Sequence, residues 1–311
     1  MIVSVSRRCD IPRFRFDWFL ERLDEGFADV VNPFNAKQLR RVYFSGGESP
    51  AGAVQEGQSA ASGPAFFVFW TRDPRSVFEH GPDLLRRGFR FYTMVTLTGY
   101  PAILESNPPP RSEVIAAIRA ASVQTGTRGA GSVPPDGTHV IWRYDPILLS
   151  SVSDADYHRR NFAVLAAALE GAVSRVIFSV YDDYAGARRR FAALSRAERP
   201  GKQTGGPDGF ALFPHYDDGG RVLPELRQLL GELAAAARRY GIVPQSCAEA
   251  ENFDCLGVRP GACIDPGLIG AFCSGGPGLS GKAKNQRPHC LCAESVDIGT
   301  YGNCPAGCAY C

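Results

Sequence analysis

The chain has 311 residues, of which 44% are hydrophobic and 21% charged, a balance that excludes a wholly disordered protein and fits one large domain or two ordinary ones. Its 34 Lys and Arg against 32 Asp and Glu give +2, too even for the broad electrostatic footprint of a non-specific nucleic-acid binder, though a local basic channel is compatible with it. No run approaches the ~20 apolar residues of a membrane span, and residues 1–10 lack the apolar core and cleavage site of a signal peptide, so the expected location is cytoplasmic.

From the N-terminus, residues 2–5 form an apolar, β-branched strand, followed by an amphipathic helix carrying Phe16, Phe19, Leu20 and Leu23 that Gly26 closes. An extra strand pair is predicted over 28–31 and 40–44. Strand 66–70 leads to a weaker helix after Pro74, and strand 91–96 to another after Ser112. Strand 139–144 leads to a helix carrying Phe162, Leu165, Ala166 and Leu169, opened by Ser153 or Asp154 and stopped by Gly171. Strands 175–180 and 242–247 flank the longest helix, which carries Leu226, Leu229, Leu230 and Leu233, with Pro224 in its first turn and Gly241 at its C-terminal cap. Gly-, Ser- and Pro-rich loops are expected at 45–64, 124–137, 198–209 and 274–288, and no internal repeat is present.

Strands apolar enough to be buried on both faces, alternating with helices, predict an α/β fold with a TIM-barrel-like parallel β/α barrel, partial or closed, of about six to eight strands, six of them clear. An open doubly wound sheet is the alternative, but no Gly-x-Gly-x-x-Gly follows the first strand. The expected division is a barrel domain over 1–273 and a Cys-rich segment over 274–311 folded over the barrel mouth.

In a parallel barrel, functional groups gather where strands run into the following loops. Those points hold Arg7, Arg8 and Asp10 after the first strand, Arg72 and Asp73 after the second, Thr96 and Thr98 after the third, and Arg143 and Asp145 after the fourth. Asp182 and Asp183 follow the fifth, and Cys247 and Glu249 the sixth. Arg143 and Asp145 interrupt an otherwise apolar run, where a charge must be paired or face a cavity. Arg7, Arg8 and Arg143 are therefore candidates for anionic substrate or cofactor groups, and Asp10, Asp145 and Glu249 for orienting hydroxyls or moving protons. Structural ion pairs at the rim are the competing account. Among the histidines, only His289, beside Cys290, is placed for a metal; His80, His139, His158 and His215 read as surface or core residues.

Nine of the ten cysteines fall from Cys247 onward. A disulfide framework belongs to small secreted domains, so metal binding is the better reading of this cluster, with Cys255 and Cys273 taken as ordinary small buried side chains. Cys304, Cys308 and Cys311, spaced Cys-x3-Cys-x2-Cys with a turn through Gly307, suit three corners of a 4Fe-4S cube and leave one iron without a protein ligand. Zinc prefers four closed ligands and fits a triad less well. Cys247, Cys263, Cys290 and Cys292 supply four more thiolates, enough for either a second 4Fe-4S cluster or a zinc ion.

The triad, with Tyr310 just before its last cysteine, resembles the cluster signature of radical S-adenosylmethionine enzymes. That resemblance implies S-adenosylmethionine on the open iron, Tyr310 on its adenine side, a partial six-strand parallel barrel, and an electron donor such as flavodoxin or ferredoxin. In that superfamily the triad follows the first strand, whereas here it occupies the chain end and must fold back over the barrel. Gly46-Gly47-Glu48 looks like the superfamily's Gly-Gly-Glu motif, but it lies in a Gly- and Ser-rich loop of different order and is read as coincidence.

The whole chain resembles a narrower group, the domain of unknown function 1848 family. The motifs run from Ser4-x-Ser-Arg-Arg-x-Asp-Ile-Pro12 through Asn32-Pro-Phe-Asn35, Phe69-Trp-Thr-Arg-Asp-Pro74 and Trp142-Arg-Tyr-Asp-Pro-Ile147. They continue through Cys247-Ala-Glu249, Cys263-Ile-Asp265, Asn285-Gln-Arg287 and Ser295-Val-Asp-Ile-Gly299 to the triad. This resemblance implies a barrel with an iron-sulfur tail, in a group whose members usually extend a little past the last cysteine. The leading expectation is an iron-sulfur enzyme acting on an unidentified small molecule or modified residue. A metal-dependent hydrolase or lyase of nucleic acid or sugar phosphate, using Asp10, Asp145, Asp182 and Glu249, is the second, and an iron-sulfur redox sensor the third.

Overall fold

The computed structural model describes residues 1–32, 35–44, 64–124, 139–196, 210–273, 281–284, 286–302 and 304–311. In chain order its elements are β1 (Ile2–Val5), α1 (Ile11–Phe14), α2 (Phe16–Glu25), β2 (Phe27–Asn32), β3 (Asn35–Tyr43), β4 (Phe66–Thr71), α3 (Arg75–Arg86), β5 (Arg90–Thr96) and α4 (Arg111–Gln124). There follow β6 (His139–Ile147), α5 (Ala155–Ala168), β7 (Arg175–Val180), α6 (Ala185–Arg196), α7 (Pro224–Arg239), β8 (Val243–Cys247), β9 (Arg259–Gly261), α8 (Pro266–Phe272) and β10 (Val296–Asp297).

Eight strands form one sheet in the order β10-β1-β4-β5-β6-β7-β8-β9, and each ladder in it is parallel. Consecutive strands are neighbours, and the last strand returns beside the first. The helical crossovers dictate this, because parallel neighbours require a long connection on one side of the sheet. β2 and β3 form the expected separate antiparallel pair. Both faces of the sheet are covered along β1 and β4, every residue of which is buried.

One face carries Val3, Val5, Phe67, Phe69 and Phe91 against Phe16, Phe19 and Leu23 of α2 and Val77 and Leu84 of α3. Further along that face Trp142, Tyr144, Val176 and Phe178 meet Phe162 and Leu165 of α5 and Leu226, Leu229 and Leu233 of α7. The opposite face carries Ile2, Phe66, Val68, Trp70, Tyr92, Met94, Ile141 and Ile177. It is covered by a different part of the chain: Cys263, Ile264, Leu268 and Ile269 after β9, and Cys290, Cys292 and Ala293 before β10. Phe272 of α8 packs near the strand starts, 5.7 Å from Phe66 and 6.4 Å from His139 between ring centroids.

The predicted strands are all present, most to within about a residue, but β3 begins five residues before the expected 40–44 and β6 runs three residues past 144; the helices after Pro74 and Ser112 are α3 and α4. The short β9 and β10 and helices α1, α6 and α8 go beyond that reading. Residues 290–298 are also part of the core and of the sheet itself, since Val296 and Asp297 pair with Val3 and Ser4. Among the described residues no helix is long and apolar enough to cross a membrane.

Candidate metal centre

The C-terminal ends of the parallel strands converge on one polar rim, and the return of the chain end to that rim is held by a single carboxylate. Asp297 of β10 accepts hydrogen bonds from Ser4 Oγ at 2.6 Å, Ser6 Oγ at 2.6 Å, the Arg7 N–H at 2.8 Å and the Gly299 N–H at 3.0 Å. The Arg7 and Arg8 guanidinium groups lie 3.8 and 3.9 Å from its oxygens. Gly299 is required beside it, because a Cβ there would lie 1.9 Å from Ser6 Oγ and 2.9 Å from Cys9 Sγ. Asp297 was not among the expected site residues, although it stands within the Ser295–Gly299 motif.

The expected rim residues are each already engaged. Arg7 lies over the Trp70 ring at 5.6 Å and Arg143 over the same ring at 4.9 Å, so one indole sits against two guanidinium groups. Arg143 also pairs with Asp145, which accepts from Ser179 Oγ. The Trp70 Nε1 and Arg143 Nε hydrogens are buried without an acceptor among the described residues. Arg8 donates to the Gly299 carbonyl and lies over Tyr301. Asp10 is turned inward: it caps α1 at the Arg13 N–H and accepts from the Arg72 N–H at 2.8 Å, and burial raises its pKa. Glu249 accepts from the Val180 N–H at 3.0 Å, and burial pushes its carboxyl up to about 7. Ala248, between Cys247 and Glu249, holds φ at 55°, a left-handed conformation rare for a residue with a side chain.

Asp182 pairs with Arg287 instead of joining the other carboxylates. Asp10, Asp145, Asp182 and Glu249 thus have separate partners, and among the described residues no three His, Cys, Asp or Glu side chains stand as a formed ion cage. Gly46, Gly47 and Glu48 lie outside the described residues. His289 is exposed while Cys290 is buried, and Cys255, expected to be buried, is exposed and accepts from Arg227 at 3.3 Å.

All ten cysteines are free thiols, and seven of them form two groups. In the first, Cys247 Sγ lies 3.2 Å from Cys263 Sγ, and Cys292 makes thiol contacts to both Cys263 and Cys290. These contacts pull the Cys247 and Cys292 thiols down and push Cys263 and Cys290 up. The Ile264 N–H donates to Cys292 Sγ at 3.3 Å, Arg287 reaches Cys247 Sγ at 3.9 Å, and Arg143 and Arg7 add positive charge.

The second group is the terminal triad. Cys308 forms a bridge with Glu105, the Ala309 N–H donates to the Leu104 carbonyl at 2.8 Å, and Arg190 Nε donates to the Ala309 carbonyl at 3.0 Å. Gly307 makes this docking possible: its φ is 66°, and a Cβ would come within 2.0 Å of Ser106 Oγ. Cys311 is within electrostatic reach of both Cys304 and Cys308, with Arg72, Arg143 and Arg190 nearby. Burial pushes the Cys308 thiol up to about 12 and also raises Cys311.

Tyr310 sits beneath the triad, 7% exposed, with its ring 5.7 Å from Tyr100. Its hydroxyl accepts from Arg72 Nη1 at 2.9 Å and donates to Glu105, which forms a 2.6 Å ion pair with Arg72 and accepts from Thr98. Glu105 escaped the sequence reading because a lone glutamate in a loop carries no pattern.

No curated protein and no solved structure matches this chain. The family described as a domain of unknown function, DUF1848, matches residues 2–311, spanning the rim motifs and both cysteine groups, and the chain belongs to that family.

Proposed function

We propose that this protein is an iron-sulfur enzyme related in chemistry to the radical S-adenosylmethionine enzymes, with Cys304, Cys308 and Cys311 holding a 4Fe-4S cluster. The observation that carries the reading is the docking of the chain end, which sets two half-buried thiols, Cys304 and Cys308, and the exposed Cys311 at the C-terminal rim of a parallel sheet beside Arg72, Arg143 and Arg190. The residues fit that group. Three sulfurs that share one electrostatic neighbourhood, with arginines beside them, suit ligands to separate irons of one cluster. With the cluster bound, the chemistry supplied is one-electron reduction, and the iron left without a protein ligand is the place for S-adenosylmethionine.

The chain's own residues would orient and shield. Arg72, neutralised on one side by Glu105, keeps a positive charge beneath the triad and fixes Tyr310. Arg7 and Arg143, on the shared Trp70 ring, present donors to an anionic group of substrate or cofactor. Glu249, with its carboxyl near neutrality, is able to hold or release a proton beside Cys247. The sheet would close as a partial β/α barrel, a reading supported by the return of β10 beside β1 and by the Ala293 N–H bond to the Ile264 carbonyl at 2.9 Å. Iron and sulfide analysis after anaerobic purification tests the proposal: about four irons and four sulfides should disappear in the Cys304→Ala/Cys308→Ala double variant. Iron content indifferent to that double substitution would refute it.

A further inference from the structure

We propose that Cys247, Cys263, Cys290 and Cys292 bind a single tetrahedral zinc ion that fastens the two edge strands of the sheet to each other, at a site separate from the terminal triad.

The spacing of the sulfurs decides between one ion and a cluster. A single zinc with bonds of about 2.3 Å holds its four thiolates about 3.8 Å apart, within thiol-contact range. A cubane spreads its ligands over separate irons and keeps them out of mutual contact. Here Cys247 and Cys263 already stand 3.2 Å apart, and Cys292 lies close enough to Cys263 and Cys290 for their thiols to shift one another, so the four sulfurs are gathered in one place. One ion at their centre draws them together.

Chemistry and surroundings agree with the spacing. Four soft sulfur donors select zinc or iron over harder cations. Cys263, Cys290 and Cys292 are 2%, 4% and 2% exposed, which excludes competing water. Four thiolates on a divalent ion leave a net charge of −2, and Arg7, Arg143 and Arg287 stand around the group to offset it. The Ile264 N–H directed at Cys292 Sγ is the kind of hydrogen bond that orients a metal-bound thiolate.

The position supplies the purpose. Cys247 ends β8, Cys263 lies two residues beyond β9, and Cys290 and Cys292 precede β10. β9 and β10 are the edges of the sheet and share no ladder among the described residues. Between the segments that extend them run the Ala293 N–H bond to the Ile264 carbonyl and the Ile264 N–H bond to Cys292 Sγ. A metal at this point replaces the missing ladder and ties the chain that carries the triad to the strands that carry the rim.

The test is metal analysis of the full chain, purified without chelators, together with the Cys292→Ser and Cys304→Ala/Cys308→Ala variants. The expected result is one zinc per chain, retained when the triad is removed and lost in Cys292→Ser. Should Cys292→Ser fail to fold, cobalt substitution of the unaltered protein reads the same site: tetrahedral thiolate coordination gives intense visible bands and a sulfur-to-cobalt charge-transfer band. Four extra irons and sulfides lost with Cys292, zinc indifferent to Cys292, cobalt without a thiolate signature, or a metal-free Cys247–Cys263 disulfide would each overturn the proposal. Iron missing from the triad while zinc remains would count only against the enzyme reading above.

Discussion

Replacing Asp297 by asparagine is the sharpest structural perturbation available at the rim. Each carboxylate oxygen of Asp297 faces a serine hydroxyl, which can reverse its direction, and a backbone N–H, which cannot: Arg7 N–H on one side and Gly299 N–H on the other. Whichever way an amide is turned, its NH2 meets one of those N–H groups. The substitution loses a charge-assisted hydrogen bond worth about 1.5–3 kcal/mol and strands a buried donor at a further 1–3 kcal/mol, so about 2.5–6 kcal/mol is expected in total. For a chain of this length that corresponds to a fall in Tm of roughly 4–9 °C, read by calorimetry or circular dichroism with metal content measured in parallel. Asp182→Asn is the internal comparison, since its pair with Arg287 is about a third exposed on both sides and should be worth no more than about 1 kcal/mol. A fall in Tm below about 2 °C for Asp297→Asn, or one equal to that of Asp182→Asn, would refute the claim that this carboxylate anchors the returning strand.

Three further outcomes are expected. Burial lowers His139, His158 and His215 to about 4, and the Nε2 of His215 accepts from the Leu149 N–H, so each must be neutral when folded. Their contribution is complete above the unfolded value near 6.5 and is lost as pH falls toward 4, about 2 kcal/mol each by pH 5; a Tm unchanged from pH 7 to 4.5 would contradict this. Tyr310→Phe removes the hydroxyl shared by Arg72 and Glu105 and should cost about 1–3 kcal/mol in urea unfolding while leaving iron content intact; no loss of stability, with weakened S-adenosylmethionine binding instead, would move Tyr310 to the cofactor side. Gly307→Ala, strained at φ 66° and crowding Ser106, should at least halve iron loading on the triad, and full loading would show that the docking of the chain end is not what forms that site.

Much of this arrangement is legible in the chain because its signals are local. Phe66–Trp70 is apolar at every position, and that alone announces a strand covered on both faces. Gly26 and Gly241 mark helix ends because the chain needs positive φ there. The grouping of Cys247 with Cys263, Cys290 and Cys292 follows from sulfur chemistry and a shared neighbourhood of strand ends. What escapes is set by distant partners. β10 is two residues long and exists only because Ser4 and Ser6 receive Asp297. Asp10 reads as a rim carboxylate, yet the orphan N–H groups of α1 and of Arg72 turn it inward. Tyr310 reads as a cofactor contact from its place in the triad, and only the three-dimensional position of Glu105, more than two hundred residues earlier, shows what its hydroxyl bonds to.

Electron paramagnetic resonance of the anaerobically reduced protein decides whether the terminal triad carries the proposed cluster with one open iron. The account predicts a reduced 4Fe-4S signal that disappears in Cys304→Ala and changes on adding S-adenosylmethionine. A protein without iron on the triad, or a cluster signal that S-adenosylmethionine leaves unchanged, would contradict it.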